Sequence, residues 1–285
     1  MKRNGIFSKL FLILVFAFLY APILVLIAFS FNASQSSSVW SGFSLRWYVE
    51  LFQDSYVLQA LQTTLLVSIL SAAIATVAGT AAAIGFSNMK RRSRSVCLTV
   101  NNIPLTNADI ITGVSMMLLF VLAVGALNGL FGGLGIRFRL GFGTLLIAHI
   151  TFNIPYVILS VMPKLRQLDP NIFEAAQDLG AGGWYAFRKV ILPEIMPGVL
   201  NGALIAFTMS IDDFVISYFT AGSGANTLSM VVYSMVRRRI SPEINALSTL
   251  MFVVVITLMV VINLRQLRQD RRTQAAIQAE RRAAP

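Results

Sequence analysis

Charge and titratable chemistry are both scarce in this chain of 285 residues, and each shortage excludes something. Charged residues are 12% of the total, about half of a soluble domain's roughly 25%. The lone Cys97 has no partner for an intramolecular disulfide. The lone His149 cannot be half of a His-x-x-x-His metal pair, and no grouping of serine, histidine and acid suggests a membrane hydrolase. No G-x-x-x-x-G-K-S/T occurs, so the chain has no loop of its own to cradle nucleotide phosphates. The glycines from Gly125 to Gly143 neither follow a strand nor open a phosphate-binding turn; they fit a loop between apolar segments. Lysine and arginine outnumber the acids 23 to 12, but they gather at the ends of apolar runs, where membrane topology explains them. Nucleic acid is therefore not an expected partner.

Apolar length is what the chain has in excess. Hydrophobic residues are 56%, and the mean hydropathy is +0.73. Six runs, at residues 10–31, 58–86, 103–127, 143–162, 198–220 and 246–264, each approach the ~20 residues that cross a bilayer as a helix. The expected class is an all-α membrane protein forming a single transmembrane domain over residues 1–285. The first run follows Lys2, Arg3 and Lys9, but it exceeds the ~7–15 apolar residues of a signal peptide and lacks a convincing cleavage site, so it reads as an uncleaved span. In the second, Ser68, Ala72, Ala75, Gly79 and Ala83 recur at near four-residue spacing, a face on which helix backbones approach closely.

Lysine and arginine set the orientation. With the N-terminus inside, Lys2, Arg3, Lys9, Lys90, Arg91, Arg92, Arg94, Lys164, Arg166, Arg188, Lys189 and six C-terminal arginines are cytoplasmic. Arg46, Arg137, Arg139 and the Arg237-Arg238-Arg239 triplet remain outside. Both termini are thus expected in the cytoplasm. The triplet reads either as a solvated loop or as a contact for an acidic partner surface.

The long polar stretch between the fourth and fifth runs, about residues 164–197, carries the most specific pattern. Asp169-Pro170 supply an N-cap and a first-turn proline, and Gly180 suits the left-handed end of a short helix. Phe173, Ala176 and Leu179 share its apolar face by spacing. A second short helix from Trp184 to about Val190 is expected to stop before Pro193. The sum is a two-helix knob outside the lipid. Glu174-Ala175-Ala176, Gly180 and the Val190-x-Leu192-Pro193 ending resemble the EAA loop of type I permease subunits in bacterial ABC importers. That resemblance implies a coupling loop that docks on an ATPase.

Three acids lie within or beside the spans: Asp109, Asp212 and Asp213. A carboxylate at the bilayer centre costs roughly 2.5–3.5 kcal/mol on insertion scales, so each needs a cavity or a partner. On the helix of the fifth run, Asp213 shares a stripe with Ser210 and Ser217, and Asp212 shares another with Thr208, Val215 and Phe219. Both aspartates read either as hydrogen-bonded packing groups or as part of a pathway. His149, beside Thr151 and Asn153, reads as a hydrogen-bonded packing residue.

The run from Ser210 to Ser217, the Ser241-Pro242-Glu243-Ile244-Asn245-Ala246-Leu247 segment and Gly42-Phe43-Ser44-Leu45-Arg46-Trp47-Tyr48 together resemble the polyamine importer permeases, of the putrescine and spermidine/putrescine type. What the resemblance implies is an alternating-access permease in the inner membrane of a bacterium, with Asp212, Asp213, Asp109 and Phe219 along the substrate path. Its implied partners are a second, similar permease, two ATPase subunits carrying ATP and Mg, and a periplasmic polyamine-binding protein. Alternatives are an importer permease for another small solute, such as an iron complex or an amino acid, and an ion-driven secondary transporter. The latter would lack the EAA loop.

Overall fold

The computed structural model describes residues 6–34, 39–131, 133, 137–169, 171–238, 243–257, 259–261 and 263–264. Lys2, Arg3, Pro170, Arg239, Ser241, Pro242 and the six C-terminal arginines, all used above, lie outside them. Among the described residues every named element is a helix, and six helices are long and apolar enough to cross a membrane. The chain divides into two compact units, Gln59–Val231 and, together, Met1–Leu58 and Val232–Pro285.

The discontinuous unit holds α1 (Ile6–Ser30), α2 (Arg46–Gln53) and α12 (Glu243–Val261). The connection from α1 to α2 is built around Asn32. Its amide donates to the Val39 carbonyl at 2.7 Å, and its Oδ1 accepts from the Ser41 amide at 2.9 Å. The buried Trp47 indole donates to the Asn32 carbonyl at 2.7 Å, and the Tyr48 and Ser30 hydroxyls meet at 2.7 Å. Phe31 lies between the rings of Phe43 and Tyr48, and Gly42, at φ 126°, makes the turn an L side chain would resist. The Gly42–Tyr48 motif is therefore a folded turn that leads into the first residues of α2.

The continuous unit contains most of α3 (Ser55–Ser87), then α4 (Arg91–Thr106), α5 (Asp109–Phe131), α6 (Phe142–Gln167), α7 (Ile172–Asp178), α8 (Gly183–Ala186), α9 (Leu192–Asp212), α10 (Val215–Thr220) and the start of α11 (Leu228–Arg238). Its core lies where α3, α6 and α9 meet. Ser68, Ala72, Ala75, Gly79 and Ala83 are all buried, as the small-residue spacing predicts. A Cβ on Gly79 would come within 2.7 Å of Val157 Cβ. On α9 the same reasoning applies to Gly198 and Gly202, which lie against Ser160, Val161 and Val157. Small residues let three backbones converge, and short polar side chains then reach across: Asn153 Nδ2 donates to Ser210 Oγ at 2.7 Å, and Ser210 Oγ meets Ser71 Oγ at 2.9 Å.

Three expectations are corrected. The third span begins at Asp109, six residues later than predicted; Ile103 belongs to α4, a separate helix with three arginines near its N-terminus and an end at Asn107. The helix opening at Trp184 does not stop before Pro193. A π-turn over Phe187–Ile191 carries it into α9, and that wider turn accommodates a proline with no amide to donate. The fifth span is not one helix to Thr220, because it breaks between Asp212 and Val215.

Gly79→Val should destabilise the protein by about 1–3 kcal/mol through overpacking against Val157. Gly85→Val meets nothing within 4 Å and should leave the melting temperature unchanged. Thermal unfolding of the two full-length variants in the same detergent checks this, and equal melting would show that Gly79 is not a packing site.

Candidate functional site

Two features of the continuous unit lie where helices depart from regularity. The first is the knob between α6 and α9. Asp169 Oδ1 accepts from the Asn171 amide at 2.9 Å, so it holds the turn before α7, which starts at Ile172 with Asn171 in the cap position. α7 ends in a Schellman arrangement. The Gly180 amide donates to Gln177 at 2.8 Å, the Ala181 amide to Ala176 at 3.1 Å, and Gly180 has φ 84°. Ala176 is buried and Phe173 half-buried, but Leu179 is 90% exposed, so it leaves the face that spacing assigned it. The cause is its place at the helix end, where the backbone is no longer helical.

Glu174, Ala175 and Pro193 are exposed, whereas Val190 and Leu192 are half-buried, Leu192 against the core of α3, α6 and α9. Leu179, Trp184 and Tyr185 stand out from the knob, at 90%, 74% and 61% exposure. Leu179, Tyr185, Val190 and the Gly180–Gly182 turn line an open groove of about 580 Å³. The tip of the two-helix knob is thus an exposed apolar surface.

The second feature is the break at Asp213-Phe214. α9 ends at Asp212, and Asp213 has extended backbone, φ −66° and ψ 124°. Its carboxylate accepts from the Ile216 amide at 3.2 Å, the Ser217 amide at 2.7 Å and the Ser217 hydroxyl at 2.9 Å. Ile216 and Ser217 are the second and third residues of α10, so Asp213, one residue before the cap position at Phe214, supplies the carboxylate that caps their amides. Buried His149 on α6 places Nε2 3.0 Å from Ser217 Oγ and 3.5 Å from Asp213 Oδ2. The Thr144 hydroxyl, 2.7 Å from the Thr220 carbonyl, fastens the other end of α10 to α6.

Asp212 takes no part in this cap. It is exposed, and among the described residues its side chain has no hydrogen-bond or ion-pair partner. It follows Ser210 by two residues, and Ser210 bonds Asn153, roughly 17 Å along α6 from its start at 1.5 Å per residue. The exposed carboxylate is thus near mid-depth of a span, beside the C-terminal carbonyls of α9, whose dipole adds negative potential. Phe219 does not share a face with Asp212, since the break intervenes; its ring lies against Gly113 of α5, where a Cβ would approach it to 2.9 Å. Asp109 begins α5 one turn before that contact and is exposed. The Ser71–Asn153–Ser210 knot and the His149–Asp213 pairing had only weak signals in sequence: polar residues inside apolar runs.

Asp213→Ala removes the acceptor for two amides and one hydroxyl, and should cost about 1–2 kcal/mol, the worth of a helix cap. Asp212→Ala should leave thermal stability unchanged. A melting comparison of the two purified variants decides; equal losses would mean that Asp212 is also a structural group.

The profile of the family described as binding-protein-dependent transport system inner membrane component matches residues 75–275. The chain is 42% identical over 240 residues to the putrescine transport system permease protein of Escherichia coli (strain K12), covering 84% of this chain and 83% of that protein. It is 36% identical over 250 residues to the spermidine/putrescine transport system permease protein of the same organism, covering 88% and 90%. Among solved structures, a chain of a bacterial ABC transporter that imports the acidic polysaccharide alginate superposes with a TM-score of 0.66 at 18% identity, covering 92% of this chain and 94% of that one. A second structure of an alginate ABC transporter, in complex with a periplasmic protein bound to alginate pentasaccharide, gives 0.67 at 17% identity, with 94% of each chain covered.

Proposed function

Because this chain belongs to the family of binding-protein-dependent transport system inner membrane components, we propose that it is the permease subunit of an ATP-driven importer that passes polyamines, putrescine or spermidine, across the bacterial inner membrane by alternating access. The observation that carries the substrate class is the orientation of the two aspartates at the fifth-span break. Asp213 is engaged by α10 and His149, while Asp212 is presented unpaired at the end of α9. An exposed carboxylate inside a span cannot face lipid cheaply, so it faces a pathway or a partner subunit. There it meets an ammonium group, with the helix C-terminus adding to the attraction. One unpaired carboxylate at this depth attracts without trapping, which passage requires. Asp109 is the second acidic group of the path, and Phe219 shapes its wall indirectly, by packing on Gly113.

Coupling runs through the knob. Glu174, Ala175, Ala176, Gly180, Val190, Leu192 and Pro193 form the loop that docks on a separate ATPase, where ATP and Mg act. The exposed Leu179, Trp184 and Tyr185 supply its apolar contact. From Gly183 to Asp212 the helix is unbroken, 30 residues long, so a displacement at the knob reaches Asp212 along one rod. A second, similar permease completes the path, two ATPases drive it, and a periplasmic polyamine-binding protein delivers cargo. Knob and termini are cytoplasmic. Residues 1–285 act as one permease domain, a reading supported by a family match that spans residues of both compact units.

Uptake of radiolabelled putrescine and spermidine at matched permease levels tests this. Asp212→Asn should preserve assembly and basal ATP hydrolysis and cut uptake severalfold or more, with a smaller loss for Asp109→Asn. Parental uptake by Asp212→Asn would refute the pathway role. Gly180→Val forces a β-branched residue to positive φ, at a cost on the order of 1 kcal/mol. It should leave membrane insertion intact and reduce substrate-stimulated ATP hydrolysis; normal coupling in that variant would remove the knob from the mechanism.

A further inference from the structure

The positive-inside count treats Arg91, Arg94 and Arg166 as topological markers, yet they converge. Arg91 and Arg94 stand on the first turn of α4; Arg166 comes from the end of α6, more than seventy residues later. With Ser95 and Leu98 they line a cavity of about 440 Å³. Among the described residues none of the three arginines is in an ion pair. α4 contributes no acid of its own. Asp169 and Glu174 line the neighbouring cavity with Arg94 and Arg166, but neither acid is in an ion pair with them, and Asp169 Oδ1 is engaged by the Asn171 amide.

Beneath the arginines the lining changes character. A second cavity of about 430 Å³ shares Leu98 and Arg166 with the first and continues along Leu159, Met162, Pro163 and Asn102. Leu159 is 43% exposed, on the span α6. A basic mouth at a span's end therefore opens into a mostly apolar trench along that span, between α4 and α6.

We propose that this slot binds one anionic phospholipid, its phosphate held by Arg91, Arg94 and Arg166 and one acyl chain laid along Leu98, Leu159 and Met162. The trench selects this occupant. An acidic protein loop would use the arginines but leave the apolar floor uncovered, whereas a lipid matches both halves in the order in which they occur. Charge clusters at a membrane surface attract anionic headgroups, and two faces of packed helices give the site its shape. The inference depends only on α6 spanning the membrane, and stands or falls separately from the polyamine reading.

Native mass spectrometry of the full-length chain, in detergent with equimolar phosphatidylglycerol and phosphatidylcholine, tests it. The parent should retain one phosphatidylglycerol in preference to phosphatidylcholine. R94Q/R166Q should weaken that retention roughly thirty-fold, at about fivefold per arginine, while R137Q/R139Q, with equal charge removed elsewhere, should not. L98W, which fills the trench and leaves the arginines, should also weaken retention severalfold. Equal retention of the two lipids, or parental retention by R94Q/R166Q, overturns the proposal. So does parental retention by L98W together with displacement of the lipid by soluble glycerol phosphate, which would mark a bare anion site. Protection of Arg94 and Arg166 from phenylglyoxal by the ATPase subunit, with none by phosphatidylglycerol, would assign the arginines to a protein partner and likewise overturn it.

Discussion

A bilayer interior has no water to offer an unpaired peptide group, and that constraint decides what a helix break inside a span must bring with it. The break at Asp213-Phe214 frees the amides that open α10. Asp213 takes up the Ile216 and Ser217 amides, and the Ser217 hydroxyl and His149 then surround its carboxylate. His149 is thus part of a cap's support, which explains a lone histidine buried in an apolar span. With Asp213 committed to α10, the preceding residue, Asp212, is the one left exposed. The arrangement that makes the break tolerable also determines which of two adjacent aspartates is presented.

At the opposite end of the same helix, irregularity has the reverse effect. Pro193 would ordinarily interrupt a helix, since it has no amide to donate and its ring crowds the preceding turn. The π-turn at Phe187–Ile191 widens the helix just ahead of it and keeps the rod continuous from Gly183 to Asp212. Gly180, by contrast, is a true corner, closed by two hydrogen bonds that leave no helical path through it. Of the knob's two helices, one is therefore fused to a span and the other is turned away from it. In the proposed mechanism this asymmetry makes α8 the arm that transmits force, and makes α7 the piece that fixes the angle at which the arm meets its partner.

Much of this was legible from residues alone, for identifiable reasons. The spans follow from apolar length, the buried face of α3 from Ser68, Ala72, Ala75, Gly79 and Ala83, and the turn at Gly180 from the residue type that adopts positive φ most readily. The break at Asp213 is not legible in sequence, because no glycine or proline punctuates the run from Ala203 to Thr220; an aspartate cap inside an apolar stretch looks like one more residue on a helix face. Pro193 misled in the opposite direction: its local rule is sound, but the π-turn satisfies it without ending the helix. Spacing places Leu179 on a buried face, and that rule fails at a terminus where the backbone leaves helical geometry. The arginine cluster needed the fold, since Arg166 joins Arg91 and Arg94 only through the packing of α4 on α6.

The knot of Ser71, Asn153 and Ser210 fixes the rotational phase of α9 two residues before Asp212, so it controls where that carboxylate points. It does so without saturating its own chemistry. Asn153 Oδ1 and the helix-face hydroxyl Ser68 Oγ are buried and, among the described residues, have no hydrogen-bond partner. Each unsatisfied group of this kind costs about 1–3 kcal/mol. A fully satisfied polar network would hold α3, α6 and α9 in one arrangement. One left short of partners stabilises its present geometry by less, and the glycines at 79, 198 and 202 present no side chain to obstruct a small rotation. Alternating access requires two arrangements of similar free energy. In the proposed mechanism, an underfilled knot at the crossing of three helices, with the exposed aspartate just beyond it, resists a change of helix phase less than a saturated one would, at the position where such a change would re-aim the carboxylate.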